Sequence, residues 1–183
     1  MTREQFGKQL NLSEELVPAG KRNRPGTKIK PAFITIHNTG NATAGADAAA
    51  HSNFVRKTGH YVNKKTGKVT WVSWHYTVDD KRVIQHLPNK ERGYHANTNG
   101  NGKSVAIEIC MHKGIDQQAA FLRAARLVAA LLHDLKLKDT AVVTHHSWTA
   151  KKCPELLLDN GKAGAKWSKF LELVREQRAQ ITG

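Results

Sequence analysis

The chain has 183 residues, of which 39% are hydrophobic and 7% aromatic, so we expect one globular domain with a full core rather than a disordered chain. It carries 29 Lys and Arg against 15 Asp and Glu, and its net charge of +14 attracts polyanions without identifying one. The basic residues are scattered along the sequence, and no apolar run approaches the length needed to cross a bilayer.

Residues 1–28 are polar and basic and are interrupted by proline and glycine. This composition predicts an N-terminal lead-in packed on a single domain of residues 29–183, with one short helical turn near residues 13–16. The same residues lack the apolar core of a signal peptide, which predicts a protein made in the cytoplasm without one.

The domain begins with a predicted buried strand, "AFITIH" (32–37), and an Ala-rich helix over about residues 44–56. Two β-rich runs then flank "NKKTGK" and predict a hairpin, and a further strand is expected over 82–87. These elements are followed by the strand "SVAIEIC" (104–110).

The clearest helix follows that strand and is opened by Asp116. Its apolar stripe consists of Phe121, Ala125, Val128, Leu132 and Leu135. A strand, "TAVVTHH" (140–146), and a final amphipathic helix over 165–178 complete the pattern. Strands interspersed with helices predict an α/β domain in which a central mixed sheet is flanked by helices.

Residues with metal-binding side chains lie at the ends of two predicted strands and in the loop after the second. His37 ends one strand, His145 and His146 end another, and Cys153 follows His145 by eight residues. Imidazole nitrogen and thiolate sulfur are typical zinc ligands, and a catalytic zinc site uses three protein ligands. The sequence has no CxxC spacing of a zinc finger, and histidines of this kind are often only polar residues at a sheet edge, so spacing leaves both interpretations open.

Glu108 and Lys151 have side chains suited to amide hydrolysis. Glu108 lies in an apolar strand, where a carboxylate is costly unless it is paired or functional. It is either ion-paired with one of the many basic residues or a general base for an attacking water. Lys151, two residues before Cys153, is either a surface lysine or a cation that stabilises an oxyanion.

Four segments together resemble a known family: "ITIHNTG", "WHYTVDDKRVIQHLP", "SVAIEIC" and "VVTHHSWTAKKCP", in this order. They are similar to the zinc-dependent N-acetylmuramoyl-L-alanine amidases of amidase family 2, which share their fold with peptidoglycan-recognition proteins. The resemblance covers about residues 29–173 and is greatest to catalytic domains of phage endolysins and of autolysins from Gram-positive hosts. It implies a mixed sheet flanked by helices, with Zn²⁺ in a groove over the sheet.

Carried over by motif, the resemblance assigns His37, His145 and Cys153 as zinc ligands, with Glu108 and Lys151 as catalytic residues. Some relatives use a tyrosine near the "SWHYTV" strand, where this chain has Trp74, so the glutamate variant fits better and His75 or Tyr76 would be next in line. The residues expected to contact substrate are Asn38, Thr39, His75 and His95.

The implied reaction is hydrolysis of the amide between N-acetylmuramic acid and L-alanine of the peptidoglycan stem peptide. Without a signal peptide, the protein is expected to reach the cell wall through a phage- or prophage-encoded membrane pore. The basic hairpin over 62–70 either binds an anionic wall polymer, shapes specificity, or is a solvated loop.

Two other functions are alternatives to the amidase. One is a non-catalytic peptidoglycan-binding module of the same fold, which the retained Cys153 disfavours. The other is a nucleic-acid-binding protein, which rests on charge alone and predicts a steep salt dependence. Because no helix has a concentrated basic stripe, we expect no nucleic acid among the partners.

Overall fold

The computed structural model describes residues 1–182, which form eight strands, six α-helices and two 3-10 turns. The strands are β1 (Leu12–Glu14), β2 (Phe33–Asn38), β3 (His60–Val62), β4 (Val69–Trp71), β5 (Tyr76–Val78), β6 (Val83–Gln85), β7 (Ser104–Ile109) and β8 (Val142–Thr144). The helices are α1 (Arg3–Lys8), α2 (Ala48–Lys57), α3 (Thr98–Lys103), α4 (Gln117–Asp134), α5 (His146–Thr149) and α6 (Ala165–Arg178), and the 3-10 turns are Asp139–Ala141 and Glu155–Leu157.

Six strands form one mixed sheet in the order β1-β6-β5-β7-β2-β8, and β3 and β4 form a separate antiparallel hairpin. Within the six-stranded sheet only the β5–β6 pair is antiparallel. The helices α2 and α4 pack on this sheet, and α6 packs on α4. The predicted fold class, a central mixed sheet flanked by helices, is confirmed.

The alternation of side chains along the central strands separates an apolar core from a polar face. On one side, Ile34 and Ile36 of β2 and Ile107 of β7 are fully buried against α4. On the other side, His37 and Glu108 lie next to each other because β2 and β7 are parallel and in register. The sheet therefore contributes one face to stability and leaves the other free to carry chemistry.

The long helix α4 begins where the sequence predicts, because the Asp116 carboxylate accepts a hydrogen bond from the backbone N–H of Ala119 at 3.0 Å. The middle of its stripe, from Ala125 to Leu132, is buried, and Leu135 is partly buried. The final helix also has the predicted bounds. No helix among residues 1–182 combines the length and apolar character that spanning a membrane requires.

The N-terminal residues differ from the expectation in two respects. The helical turn predicted near residues 13–16 is wrong, because residues 12–14 form the edge strand β1, parallel to β6. All three of its residues are exposed, so no alternation of apolar side chains signals a strand. A capped helix, α1, precedes it and buries Phe6 in the main core.

A mostly buried ion pair fastens the N-terminal segment to the domain. Arg24 contacts both carboxylate oxygens of Glu91, at 2.8 and 3.2 Å, and also donates to the carbonyl of Val17 at 2.7 Å. The Glu91 side chain is 9% exposed, whereas the Lys28 ammonium that also contacts it is on a side chain that is 77% exposed. The two basic residues therefore differ sharply in burial around the same carboxylate.

Replacing Arg24 with alanine is expected to lower the free energy of unfolding by about 3 kcal/mol, because it leaves the Glu91 carboxylate largely buried without its main partner. The matched change Lys28→Ala should cost less than about 1 kcal/mol. The hydrogen bond from Arg24 lowers the pKa of Glu91, so this stabilisation is present above the unfolded-state pKa and is lost as pH falls through the folded-state value. Urea unfolding at neutral and acidic pH measures both effects, and equal losses for the two variants would contradict the assignment.

Candidate metal centre

The carboxyl ends of three neighbouring parallel strands bring together the candidate residues. His37 of β2 lies in register with Glu108 of β7. The pairing of Ile36 with Thr144 of β8 then places His145 beside His37. Ligand sites in open α/β sheets lie at this edge. The predicted strand ends at His37 and His145 are therefore adjacent in space.

His37, His145 and Cys153 form one compact set of possible ligands. One ligand atom from each lies within 4.8 Å of the others, and all three residues are buried. The Cys153 Sγ lies 3.8 Å from His37 Nδ1, and the two histidine rings are 4.6 Å apart between centroids. Two imidazole nitrogens and one thiol are a donor set that fits zinc.

Burial sets the protonation of this set. It lowers the pKa of His37 well below its usual range and that of His145 to about 4, so both imidazoles are neutral and can act as ligands. Burial raises the pKa of the Cys153 thiol to about 12, and the nearby Glu108 raises it further. A metal cation bound among these residues would instead lower the pKa of the Cys153 thiol, because metals favour the thiolate.

Glu108 lies directly beside the candidate ligands. Its Oε1 is 3.9 Å from His37 Nδ1, and within residues 1–182 its buried Oε2 has no hydrogen-bond partner. Burial raises the pKa of Glu108 to about 8, and the Lys151 cation partly opposes this shift. His145 Nδ1 is likewise buried and, in the same part of the chain, has no partner. Glu108 Oε2 and His145 Nδ1 are therefore available to bind a metal or a reactant.

These residues lie in an open groove of about 670 Å³. Lys151 lines it and is exposed, two residues before the buried Cys153. Thr39 also lines the groove, and within residues 1–182 its buried hydroxyl has no hydrogen-bond partner, so it can contact a substrate. The structure thus brings together the candidate ligands, both candidate catalytic residues and Thr39.

Asn38 borders the groove, but its side chain is used within the protein. Its amide donates to the carbonyl of Ile109 at 3.3 Å, and its Oδ1 accepts from the N–H of Leu156 at 3.0 Å. Its carbonyl also lies 3.9 Å from the Cys153 Sγ. Asn38 therefore joins the two central strands to the segment that carries Cys153.

His75 and Tyr76 do not reach the groove, which corrects the expectation of a substrate contact by His75. The His75 ring is fully buried, its Nδ1 accepts from the N–H of Ala106 and its Nε2 donates to the carbonyl of Glu91. Both nitrogens are therefore used. Tyr76 points to the opposite face of the sheet and donates to Asn89, so neither residue can replace Glu108 as a base.

His95 lies deep in the groove and contacts a candidate ligand rather than only the open space. Its Nδ1 is 3.1 Å from His37 Nε2. This contact cannot be predicted from local pattern, because His95 lies in a loop 58 residues from His37. The same holds for the aromatic wall of the groove, whose members come from the hairpin and neighbouring segments and are Tyr61, Trp71, Trp74 and Tyr94.

The predicted hairpin is present and forms one side of this groove. β3 and β4 pair with His60 opposite Trp71 and Val62 opposite Val69, and the lysines of "NKKTGK" lie at the exposed tip. Aromatic residues in a short hairpin are commonly part of local packing. For Tyr61 and Trp71, only their position along the groove indicates a role in binding.

Comparison with known families and proteins gives a consistent result. The family model Amidase_2, described as N-acetylmuramoyl-L-alanine amidase, matches residues 27–156. The sequence is 39% identical over 166 residues to the N-acetylmuramoyl-L-alanine amidase CwlH of Bacillus subtilis strain 168, covering 88% of this chain and 60% of CwlH. It covers 48% of the amidase XlyA of the same strain, so the chain spans about half to three fifths of these relatives.

Two solved structures place the fold. The catalytic domain of XlyA superimposes with a TM-score of 0.76 at 36% identity, covering 90% of this chain and 99% of that domain. Drosophila peptidoglycan recognition protein SD superimposes with a TM-score of 0.52 at 18% identity, covering 84% of this chain and 86% of that protein, which is a likeness of fold alone. The matched region contains His37, Glu108, His145, Lys151 and Cys153.

Proposed function

Since this chain belongs to the N-acetylmuramoyl-L-alanine amidase family Amidase_2, we propose that it hydrolyses the amide between N-acetylmuramic acid and L-alanine of the peptidoglycan stem peptide. The catalytic unit comprises residues 29–183, with residues 1–28 packed on it. The observation that carries the proposal is the set of buried donor atoms of His37, His145 and Cys153 beside the Glu108 carboxyl at the floor of an open groove.

We assign Zn²⁺ to the three donors, His37, His145 and Cys153. When bound there, zinc would supply a Lewis acid that polarises the scissile carbonyl, acidifies water and favours the anionic forms of Cys153 and Glu108. The donor types and the unpaired polar atoms of Glu108 and His145 support this assignment.

Glu108 acts as the general base in this proposal. Its carboxylate takes a proton from the attacking water and then delivers it to the nitrogen of the leaving L-alanine. The register with β2 supports this role, because it holds Glu108 beside His37 on a rigid sheet rather than on a mobile loop. The Glu108 side chain is 16% exposed at the floor of the groove, so water that enters the groove can reach its carboxyl.

Lys151 stabilises the negative charge that develops on the carbonyl oxygen during attack. It lies in the turn after α5, next to the segment that carries Cys153. Its proximity to the reacting groups is reflected in the pKa values of Glu108 and His145, both of which its positive charge lowers. Such a cation acts best in a groove partly screened from water.

Lys151→Ala is expected to lower kcat by roughly 10²–10³-fold, the usual effect of removing one group that stabilises an oxyanion. Zinc affinity should change little, because the three donors remain. The adjacent exposed lysine gives a matched control, and Lys152→Ala should keep most of the turnover. Release of peptide from muropeptide, together with zinc titration, tests this; similar losses for both variants would indicate a nonspecific effect of charge.

The activity itself is tested with the purified chain and isolated cell walls or muropeptide. New N-terminal alanine should be released by the zinc-loaded protein and not after chelation, and activity should return when zinc is added. New reducing sugar ends without new N-terminal alanine would indicate cleavage of the glycan instead. If neither product forms while walls still bind, the chain is a binding module rather than an amidase.

The partner that follows from the proposed reaction is peptidoglycan, and the site of action is the cell wall. The net charge of +14 and the lysines at the tip of the hairpin support an additional attraction to anionic wall polymers. In this proposal the protein reaches the wall through a phage- or prophage-encoded pore.

A further inference from the structure

A second histidine, His95, is within hydrogen-bond distance of the candidate ligand His37. His37 Nδ1 faces Cys153 and Glu108, whereas its Nε2 faces His95 Nδ1 at 3.1 Å, with the two rings nearly perpendicular at 89°. Two imidazole nitrogens at this distance share one hydrogen, so one nitrogen donates and the other accepts. The direction of this hydrogen bond decides which nitrogen of His37 has a free lone pair.

The residues behind His95 fix that direction. The carbonyl of Gly100 can only accept, so Ser104 gives its single hydroxyl proton to that carbonyl, at 2.8 Å. The Thr35 hydroxyl, which accepts from the Trp148 indole N–H at 2.9 Å, in turn donates to Ser104 Oγ at 2.8 Å. Ser104 Oγ can therefore only accept from His95 Nε2, which lies 3.5 Å away and is the longest link of the chain.

The direction of these hydrogen bonds determines the tautomers of His95 and then of His37. With its proton on Nε2, His95 has a lone pair on Nδ1, which accepts from His37 Nε2. His37 is then left with a lone pair on Nδ1, the nitrogen that faces the other two donors. The tautomer needed for metal binding is thus selected before any metal arrives.

The supports of the chain are rigid. Thr35 and Ser104 are fully buried on the central strands β2 and β7. The His95 backbone is held by Asn101, whose Oδ1 accepts from the N–H groups of His95 and Ala96 at 2.9 and 2.7 Å. His95 is therefore fixed at the same edge of the sheet as the ligand that it contacts.

We propose that His95 is a positioning residue for the metal site: its Nδ1 accepts the His37 Nε2 proton, and Ser104, which gives its own proton to the Gly100 carbonyl, keeps His95 in that tautomer. The inference rests on the proposed zinc site and not on the reaction. His95 is thereby moved from the substrate contact expected from sequence to a role exerted through His37.

Zinc affinity of the full chain tests the proposal without any substrate. His95→Ala should weaken Zn²⁺ binding by about 10–100-fold in competition with a chromophoric chelator, the usual effect of losing a hydrogen bond to a ligand histidine. His95→Asn places an amide oxygen near the position of Nδ1 and should recover most of that affinity, with a loss below about tenfold. Ser104→Ala should weaken binding in the same direction, and Co²⁺ absorption should report altered coordination in His95→Ala.

His133→Ala, a change at an exposed histidine of α4, is the control and should leave zinc affinity unchanged. Parent-like affinity in His95→Ala with reduced turnover would overturn the proposal and restore a substrate contact for His95. Equal weakening in His95→Ala and His95→Asn would also overturn it. Thermal unfolding of the metal-free variants identifies misfolding, and if His95→Ala does not fold, parent-like zinc affinity in Ser104→Ala overturns the proposal. Absence of amidase activity would leave these affinities measurable.

Discussion

Replacing Glu108 with glutamine is expected to lower kcat by about 10²–10⁴-fold while the protein keeps its zinc. The amide has nearly the shape of the carboxyl but cannot accept a proton from water, so proton transfer is lost and binding is not. Turnover of muropeptide and zinc content of the purified variant are the two measurements. Full turnover would assign the base to another group, and loss of zinc would make Glu108 part of the metal site.

Stability gives the same variant a second readout that excludes misfolding. Because burial raises the folded-state pKa of Glu108 to about 8, the metal-free parent should lose stability as pH rises from the unfolded value of about 4.5 towards 8. Ionisation of the buried carboxyl costs free energy in the folded state only. Metal-free Glu108→Gln should therefore be at least as stable as the parent at pH 8, with the difference growing as pH rises.

A carboxylate at the rim of the groove provides the matched control for Glu108. Glu155 lines the groove but is exposed, so Glu155→Gln removes the same charge from the groove without removing the buried base. We expect it to keep most of its turnover. If both variants lose turnover equally, the groove depends on negative charge in general rather than on the position of Glu108.

Cys153→Ala is expected to abolish hydrolysis and to weaken zinc binding by more than the 10–100-fold typical of an outer hydrogen bond, because it removes a ligand itself. Zinc should raise the melting temperature of the parent through preferential binding to the folded state, by about 2.7 kcal/mol of stability at 100 times Kd. It should not do so for the variant. Differential scanning fluorimetry with and without zinc, and cobalt charge-transfer absorption, measure both effects.

Cys110 offers a control of the same residue type. It is also buried, but it lies 3.9 Å from His51 and belongs to a separate cluster of the core. Cys110→Ala should therefore retain the thiolate-to-cobalt absorption and the zinc-dependent rise in melting temperature. Loss of that absorption in Cys110→Ala, or its survival in Cys153→Ala, would contradict the assignment of Cys153.

Much of the site could be predicted because its residues stand next to strong local signals. His37 follows an apolar β-branched run, and Glu108 interrupts another. Regular alternation along β7 also predicts that Glu108 faces away from Val105 and Ile107, as the two faces of the sheet confirm. Local periodicity was sufficient here because the side-chain direction in a strand depends only on position along it.

Other elements gave no local signal. The strand β1 has only exposed residues and forms through pairing with β6, which lies some 70 residues further along the chain. The short helix α3, "TNGNGK", contains two glycines, which disfavour helix, and is capped by Asn97. Long-range pairing and capping overrode propensity at both places.

The sequence by itself determined the fold class, the candidate ligand types and the strand ends that carry them, because periodicity and residue chemistry are local properties. Only the tertiary structure decided that His75 is held by backbone groups and that His95 supports His37. The residue type is the same at both positions, so the sequence alone cannot distinguish them. Their difference arises from hydrogen-bond partners distant in sequence, Ala106 and Glu91 for His75 and His37 for His95, which only the folded chain brings within 2.8–3.1 Å.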